Sequence, residues 1–196
     1  MNRLLIPMLS TLMLSLSRIL LAHLSQSDLF LTDPVHWIKS HDKLLKFCDE
    51  LLAITAFLFS GSIISFVLYH RQDDYFMLAI ISVSLIYCIF AWIGTVLIIG
   101  NSIYPVNGLK ALKESELPKA LLQIYSRLHL SDLSLGILTI ALSNLNPNLY
   151  IRLSGYAVGP MQILFTYYSK PLKYKTYIFT VIAWTIWMIL FQLTTN

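Results

Sequence analysis

The chain has 196 residues, 57% of them hydrophobic and only 12% charged, with a mean hydropathy of +0.69. A soluble domain carries roughly 25% charged residues because its surface must face water, so the composition excludes an ordinary soluble domain. The formal net charge of +4 matters through where its cations sit, and no nucleic-acid partner is expected; the expected partner is a lipid bilayer.

A membrane-crossing helix needs about 20 mostly apolar residues. Six segments meet this, and the chain is expected to be an all-α, six-span bundle forming a single membrane domain over residues 1–196. The first span covers about residues 4–24 and is interrupted by Arg18. It also has the outline of a signal peptide, Met1-Asn2-Arg3 followed by an apolar run. Apolar character resumes after Arg18 as "ILLAHL" and no small-x-small cleavage site follows, which favours retention.

Residues 25–50 then hold Asp33-Pro34, a turn signal, and "HWIKSHDKLLKFCDELL". Ile38, His41, Leu45, Cys48 and Leu52 recur at helical spacing with lysines elsewhere, which predicts an amphipathic interfacial helix near residues 36–47. It feeds a second span over 51–69, where Ser60-Gly61-Ser62 and Ser65 suit close packing. The third span, 76–99, is the cleanest. Residues 100–119 form a longer link, with Ser115 and Pro118 marking a helix start. The fourth span, 121–145, is polar in its first half. The fifth, 149–169, contains "SGYAVGPMQ": Gly155 and Gly159 make a GxxxG spacing for helix contact, and Pro160 can kink the helix. The sixth covers 177–193.

With six spans, the links alternate between two sides. Loops one, three and five, residues 25–50, 100–119 and 170–176, hold all nine lysines; the other side holds Arg3, Arg71 and Arg152 and no lysine. Cytoplasmic loops are enriched in Lys and Arg. These three loops are therefore expected in the cytoplasm, both termini outside, and the membrane is expected to be a bacterial cytoplasmic membrane. The same distribution supports the weak fourth span, since without that crossing the split becomes six against six.

Charges at mid-bilayer cost about 2.5–3.5 kcal/mol even on insertion scales, so Arg18 and Asp132 need reasons. Counted from the outer side, Arg18 lies roughly 21 Å deep and Asp132 roughly 20–22 Å deep at 1.5 Å per residue. If spans one and four are neighbours the two can pair. His129 shares a helix face with Asp132, whereas Arg127 lies nearer the cytoplasm on another face. Two readings compete: in the one favoured by default, Arg18 snorkels to headgroups and Asp132 sits near water; in the sharper one, Arg18, His129, Asp132 and Gln162 form an intramembrane polar site.

Tyr69, Tyr75 and Tyr150 on one side, and Tyr167, Tyr168 and Tyr174 on the other, read as interfacial belts. Trp184 and Trp187 read as a packing stripe. Cys48 and Cys88 read as small buried hydrophobes. The five histidines are scattered, so no metal and no cofactor are expected, and the common nucleophile, nucleotide and zinc motifs are missing. From Asp49 to "NSIYPVNGLKA" the chain resembles the membrane domain of ethylene sensors, a family that holds copper with a Cys-x3-His turn. The matching turn here is Cys88-Ile-Phe-Ala-Trp92, which lacks the histidine, so no site is carried over. Three functions fit: a non-catalytic subunit that associates with another membrane protein or with itself; a small transporter or channel-like protein using Arg18, His129 and Asp132, with Gly159, Pro160 and Gln162 along the path; and a membrane enzyme.

Overall fold

A computed structural model describes residues 4–70, 74–104, 112–165 and 174–195. These residues are mostly helical, with no strand among them. Helix α1 (Leu5–Leu24) leads into two short helices, α2 (Leu29–Thr32) and α3 (Pro34–Ser40). Long helices α4 (Asp42–Tyr69) and α5 (Tyr75–Ile103) follow. A 3-10 turn, Glu114–Glu116, precedes α6 (Leu117–Leu145), and α7 (Leu149–Leu164) and α8 (Tyr174–Thr194) complete the bundle.

The distribution of residues is compatible with a lipid solvent. On α1, Ser10, Thr11, Ser15, Ser17 and Arg18 are buried, while Leu5, Leu9, Leu12 and Leu16 are exposed. The buried hydroxyls are satisfied locally: Ser10 and Thr11 donate to Pro7 O, and Ser15 donates to Thr11 O. The outer faces of α5 and α8 repeat the pattern with exposed Val83, Ile86, Phe90, Ile182 and Ile186. In water such a surface would be a severe aggregation hazard. In a bilayer it costs nothing, and the inward small polar residues let helices approach closely.

Five helices, α1, α4, α5, α6 with its 3-10 turn, and α8, are long and apolar enough to cross a membrane. The polar fourth candidate is thus one continuous helix. Helix α7 has 16 residues, about 24 Å of rise, and the last four residues of the span expected over 149–169 lie outside the described residues. The expected separate interfacial helix also differs. It is divided at His41: α3 ends there, and residues 42–47 belong to α4, continuous with the span. The division has a physical cause. Trp37 is buried and donates from Nε1 to Leu24 O, at the end of α1. That anchor folds α3 over the bundle end, its ring edge-on to Phe30, so α3 packs on protein rather than lying alone on lipid.

Side-chain pairs fix the helix directions. Gln192 Nε2 donates to Thr11 Oγ1, and Arg18 faces the Tyr177 ring. Helix α1 therefore runs antiparallel to α8 and starts where α8 ends, while Tyr125 at the start of α6 donates to Leu21 O at the end of α1. Lys46 lies over the Tyr104 ring, and His23 meets Tyr174 at 5.7 Å between centroids. The end of α1, the starts of α4, α6 and α8, and the end of α5 thus gather at one end of the bundle. Lys39, Lys43, Lys46, Lys113, Lys119 and Lys175 are on this end; Lys110, Lys170 and Lys173 lie outside the described residues. Exposed Tyr69, Tyr75 and Tyr150 mark the opposite end; Tyr167 and Tyr168 lie outside the described residues.

All four tryptophans are buried, and each indole N–H finds an acceptor. Trp92 donates to Ser131 Oγ, Trp184 to Thr139 Oγ1 and Trp187 to Ile151 O, with Trp37 as above. A buried indole needs such a partner. Here each partner belongs to another helix, so the rings act as cross-braces.

Candidate intramembrane polar site

Arg18 projects from the polar face of α1 into the middle of the bundle and its side chain is 1% exposed. Its Nη2 lies 2.6 Å from Asp132 Oδ1 on α6. The contact is a buried ion pair. The same nitrogen donates to Gln162 Oε1 on α7 at 2.5 Å. Gln162 Nε2 in turn donates to Thr180 O on α8 at 2.8 Å. The guanidinium carbon stands 5.3 Å from the Trp184 ring and 5.9 Å from the Tyr177 ring, both on α8. One arginine therefore ties together α1, α6, α7 and α8.

A buried charge is tolerated when it is paired and hydrogen-bonded. Asp132 supplies the countercharge, Gln162 a neutral acceptor, and the two rings a polarisable wall. Among the described residues, Arg18 Nε and Nη1 have no partner within strict hydrogen-bond geometry.

Asp132 and His129 both line a cavity of about 60 Å³, together with Ala22, Ser25, Tyr125 and Tyr177. Its other walls, including Gln26 and Tyr174, are at the lysine-rich end. A cavity needs only about 10–15 Å³ of this kind of space to hold a water, so it can take water or a small ion. Arg18 is not among its lining residues; Asp132 and Tyr177 line it and also face the arginine.

Arg18, Asp132 and Gln162 are thus in direct contact, and His129 joins them across the cavity wall. Gly155 and Gly159 set how close α7 lies to its neighbours, and Pro160 lies inside α7, which continues past it to Leu164. A Cβ on Gly159 would fall 2.9 Å from Gly136 O and 2.5 Å from Ile140 Cγ1. One on Gly136 would fall 2.7 Å from Gly159 O. A Cβ on Gly155 would collide with Ser143 Oγ and come 2.7 Å from the Trp187 ring. This approach of α6 to α7 carries Gln162 to Arg18. Sequence reasoning missed Gly136, Thr180, Tyr177 and Trp184 as members of the assembly. Only Gly136 left a signal, a lone glycine in a helical pattern.

No group of three or more His, Cys, Asp or Glu side chains able to hold a metal occurs among the described residues. Cys48 and Cys88 are free and buried. No family model matches the chain, and no curated protein or solved structure matches it. The chemistry of the site therefore rests on its own geometry.

Proposed function

We propose that the chain is a six-span membrane protein of the transporter or channel-like class, which passes a proton or a small ion through a polar site at Asp132. The observation that carries this reading is the cavity. It reaches Asp132 and His129 from the lysine-rich end, and Asp132 is in turn the countercharge of the buried Arg18. A carboxylate and an imidazole reached by water, backed by a fixed cation, suit exchange of a charged species at mid-depth. In this reading the lysine-rich end is cytoplasmic and the Arg18–Asp132 pair closes the path towards the other side. Release of the pair is the gating step.

The test is proton flux into liposomes holding a pH-sensitive dye, with a pH gradient across the membrane. Flux above that of protein-free liposomes, lost in Asp132→Asn and reduced in His129→Gln while both variants stay folded, supports the reading. Absence of flux from a folded wild type overturns it.

A second reading, association with another membrane protein or a second copy, has one observation in its favour. On α4 the space where a Gly61 Cβ would stand is open, and Ser65 one turn on is exposed, so a partner helix can approach there. The small-residue faces of α6 and α7 give no such support, because they are occupied within the chain. Stable co-purification of a partner, with no flux, favours association.

A further inference from the structure

On the outer side of the bundle, away from the Arg18 site, an apolar groove of about 350 Å³ runs between α5 and α6. Its α5 wall is Phe76, Ile80, Val83 and Tyr87, and its α6 wall includes Leu130, Leu133 and Ile137. From Phe76 to Tyr87 the groove is about 17 Å long by helical rise.

Both walls continue by one or two turns towards the lysine-rich end. On α5 the next positions of the stripe are Phe90 and Gly94; on α6 the next is Arg127. Arg127 lies over the Phe90 ring, its guanidinium carbon 5.6 Å from the centroid. A Cβ on Gly94 would collide with that guanidinium. The glycine therefore leaves the notch in which the arginine rests. Arg127 has no acidic partner among the described residues. Lys119, Gln123 and Ser126 continue an exposed polar strip on α6 beyond it.

We propose that this groove is a binding site for an anionic phospholipid, with an acyl chain along α5 and α6 and the headgroup phosphate on Arg127. The inference depends on the chain being embedded in a membrane and is independent of any flux through Asp132. Charge complementarity selects the occupant. A half-buried guanidinium with one face on an aromatic ring is poorly solvated and needs an anion. It lies at the lysine-rich end of the groove, one turn beyond Leu130, and lipid phosphate is the abundant anion of a membrane. Guanidinium also binds phosphate oxygens in pairs. The groove below supplies a surface for the chain attached to that phosphate, which a free phosphate ion does not need.

The full chain in neutral detergent is equilibrated with vesicles of equal phosphatidylglycerol and phosphatidylcholine, and retained lipid is counted by native mass spectrometry. The wild type should retain phosphatidylglycerol over phosphatidylcholine by about fivefold. Arg127→Gln should bring that ratio close to one. Arg152→Gln, at the opposite end of the bundle, should leave it unchanged, and an equal loss there would reduce the effect to net charge and overturn the site. Val83→Trp fills the groove without altering charge and should lower retained lipid. It keeps the proposal testable if Arg127→Gln does not fold. An excess of inorganic phosphate should not displace the lipid; displacement would mean a free-anion site and overturn it. A wild type without headgroup preference, or a dimer mass in place of bound lipid, would overturn it too.

Discussion

Arg18 of α1 and Asp132 of α6 meet as an ion pair at 2.6 Å, their side chains 1% and 4% exposed. Removing one partner leaves the other charge uncompensated in a medium of low polarity, at a cost of about 3–5 kcal/mol. Arg18→Leu and Asp132→Asn should each lower the midpoint of thermal unfolding in detergent. The double variant should recover part of the loss, with a coupling energy of about 1 kcal/mol or more. Strictly additive losses would show that the pair contributes no interaction of its own.

The pairing was legible because depth along a helix follows from counting residues: Arg18 and Asp132 come to the same level from opposite chain directions. Its setting was not legible. That Gln162 reaches Arg18 depends on Gly136 and Gly159 bringing two backbones together, and a GxxxG spacing does not name its partner helix. The tryptophans were hidden for a related reason. Composition favours an interfacial indole, and only the partner helix reveals an acceptor such as Thr139 Oγ1 for Trp184. The helix near residues 36–47 was legible as amphipathic. Its division at His41 depends on Trp37 reaching a carbonyl of α1, a tertiary contact without a local signal.

Trp184 offers a way to separate packing from hydrogen bonding. Its ring contacts the Arg18 guanidinium and Phe59, and its Nε1 donates to Thr139 Oγ1 at 3.0 Å. Trp184→Phe keeps an aromatic ring but loses the donor, and should cost about 1–3 kcal/mol. Trp184→Leu removes the cation–π surface as well and should cost more. Thermal melts of both variants beside Thr139→Val test the assignment. If Trp184→Phe is no less stable than wild type, the indole bond carries none of the stability.

The glycines make a sharper contrast, because two of them face opposite conditions on helices of similar kind. Gly159→Ala places a methyl 2.9 Å from the Gly136 carbonyl. The α6–α7 contact must open, at about 1–3 kcal/mol, and Gln162 is carried away from Arg18. Gly61→Ala places its methyl in open space and should stabilise α4 by about 0.5–1 kcal/mol through the gain in helix propensity. The two substitutions should therefore shift the unfolding midpoint in opposite directions. A shift of the same sign would remove the proposed close approach.

The remaining issue is whether α7 completes a sixth crossing. With 16 described residues it rises only about 24 Å, against about 30 Å of hydrocarbon. Two hydrogen bonds fix its direction against α8. Trp187 donates to Ile151 O near the start of α7, and Gln162 donates to Thr180 O near its end. Helices α7 and α8 are thus antiparallel where these bonds join them. In a chain carrying Cys48→Ala and Cys88→Ala, single cysteines at Lys43, Lys113 and Lys175 should react with a membrane-impermeant maleimide from one side only. Cysteines at Asp74 and Tyr150 should react from the other. Position 175 decides the issue. If it labels together with position 150, α7 does not cross, and the lysines after it leave the side on which the other lysine-rich segments lie.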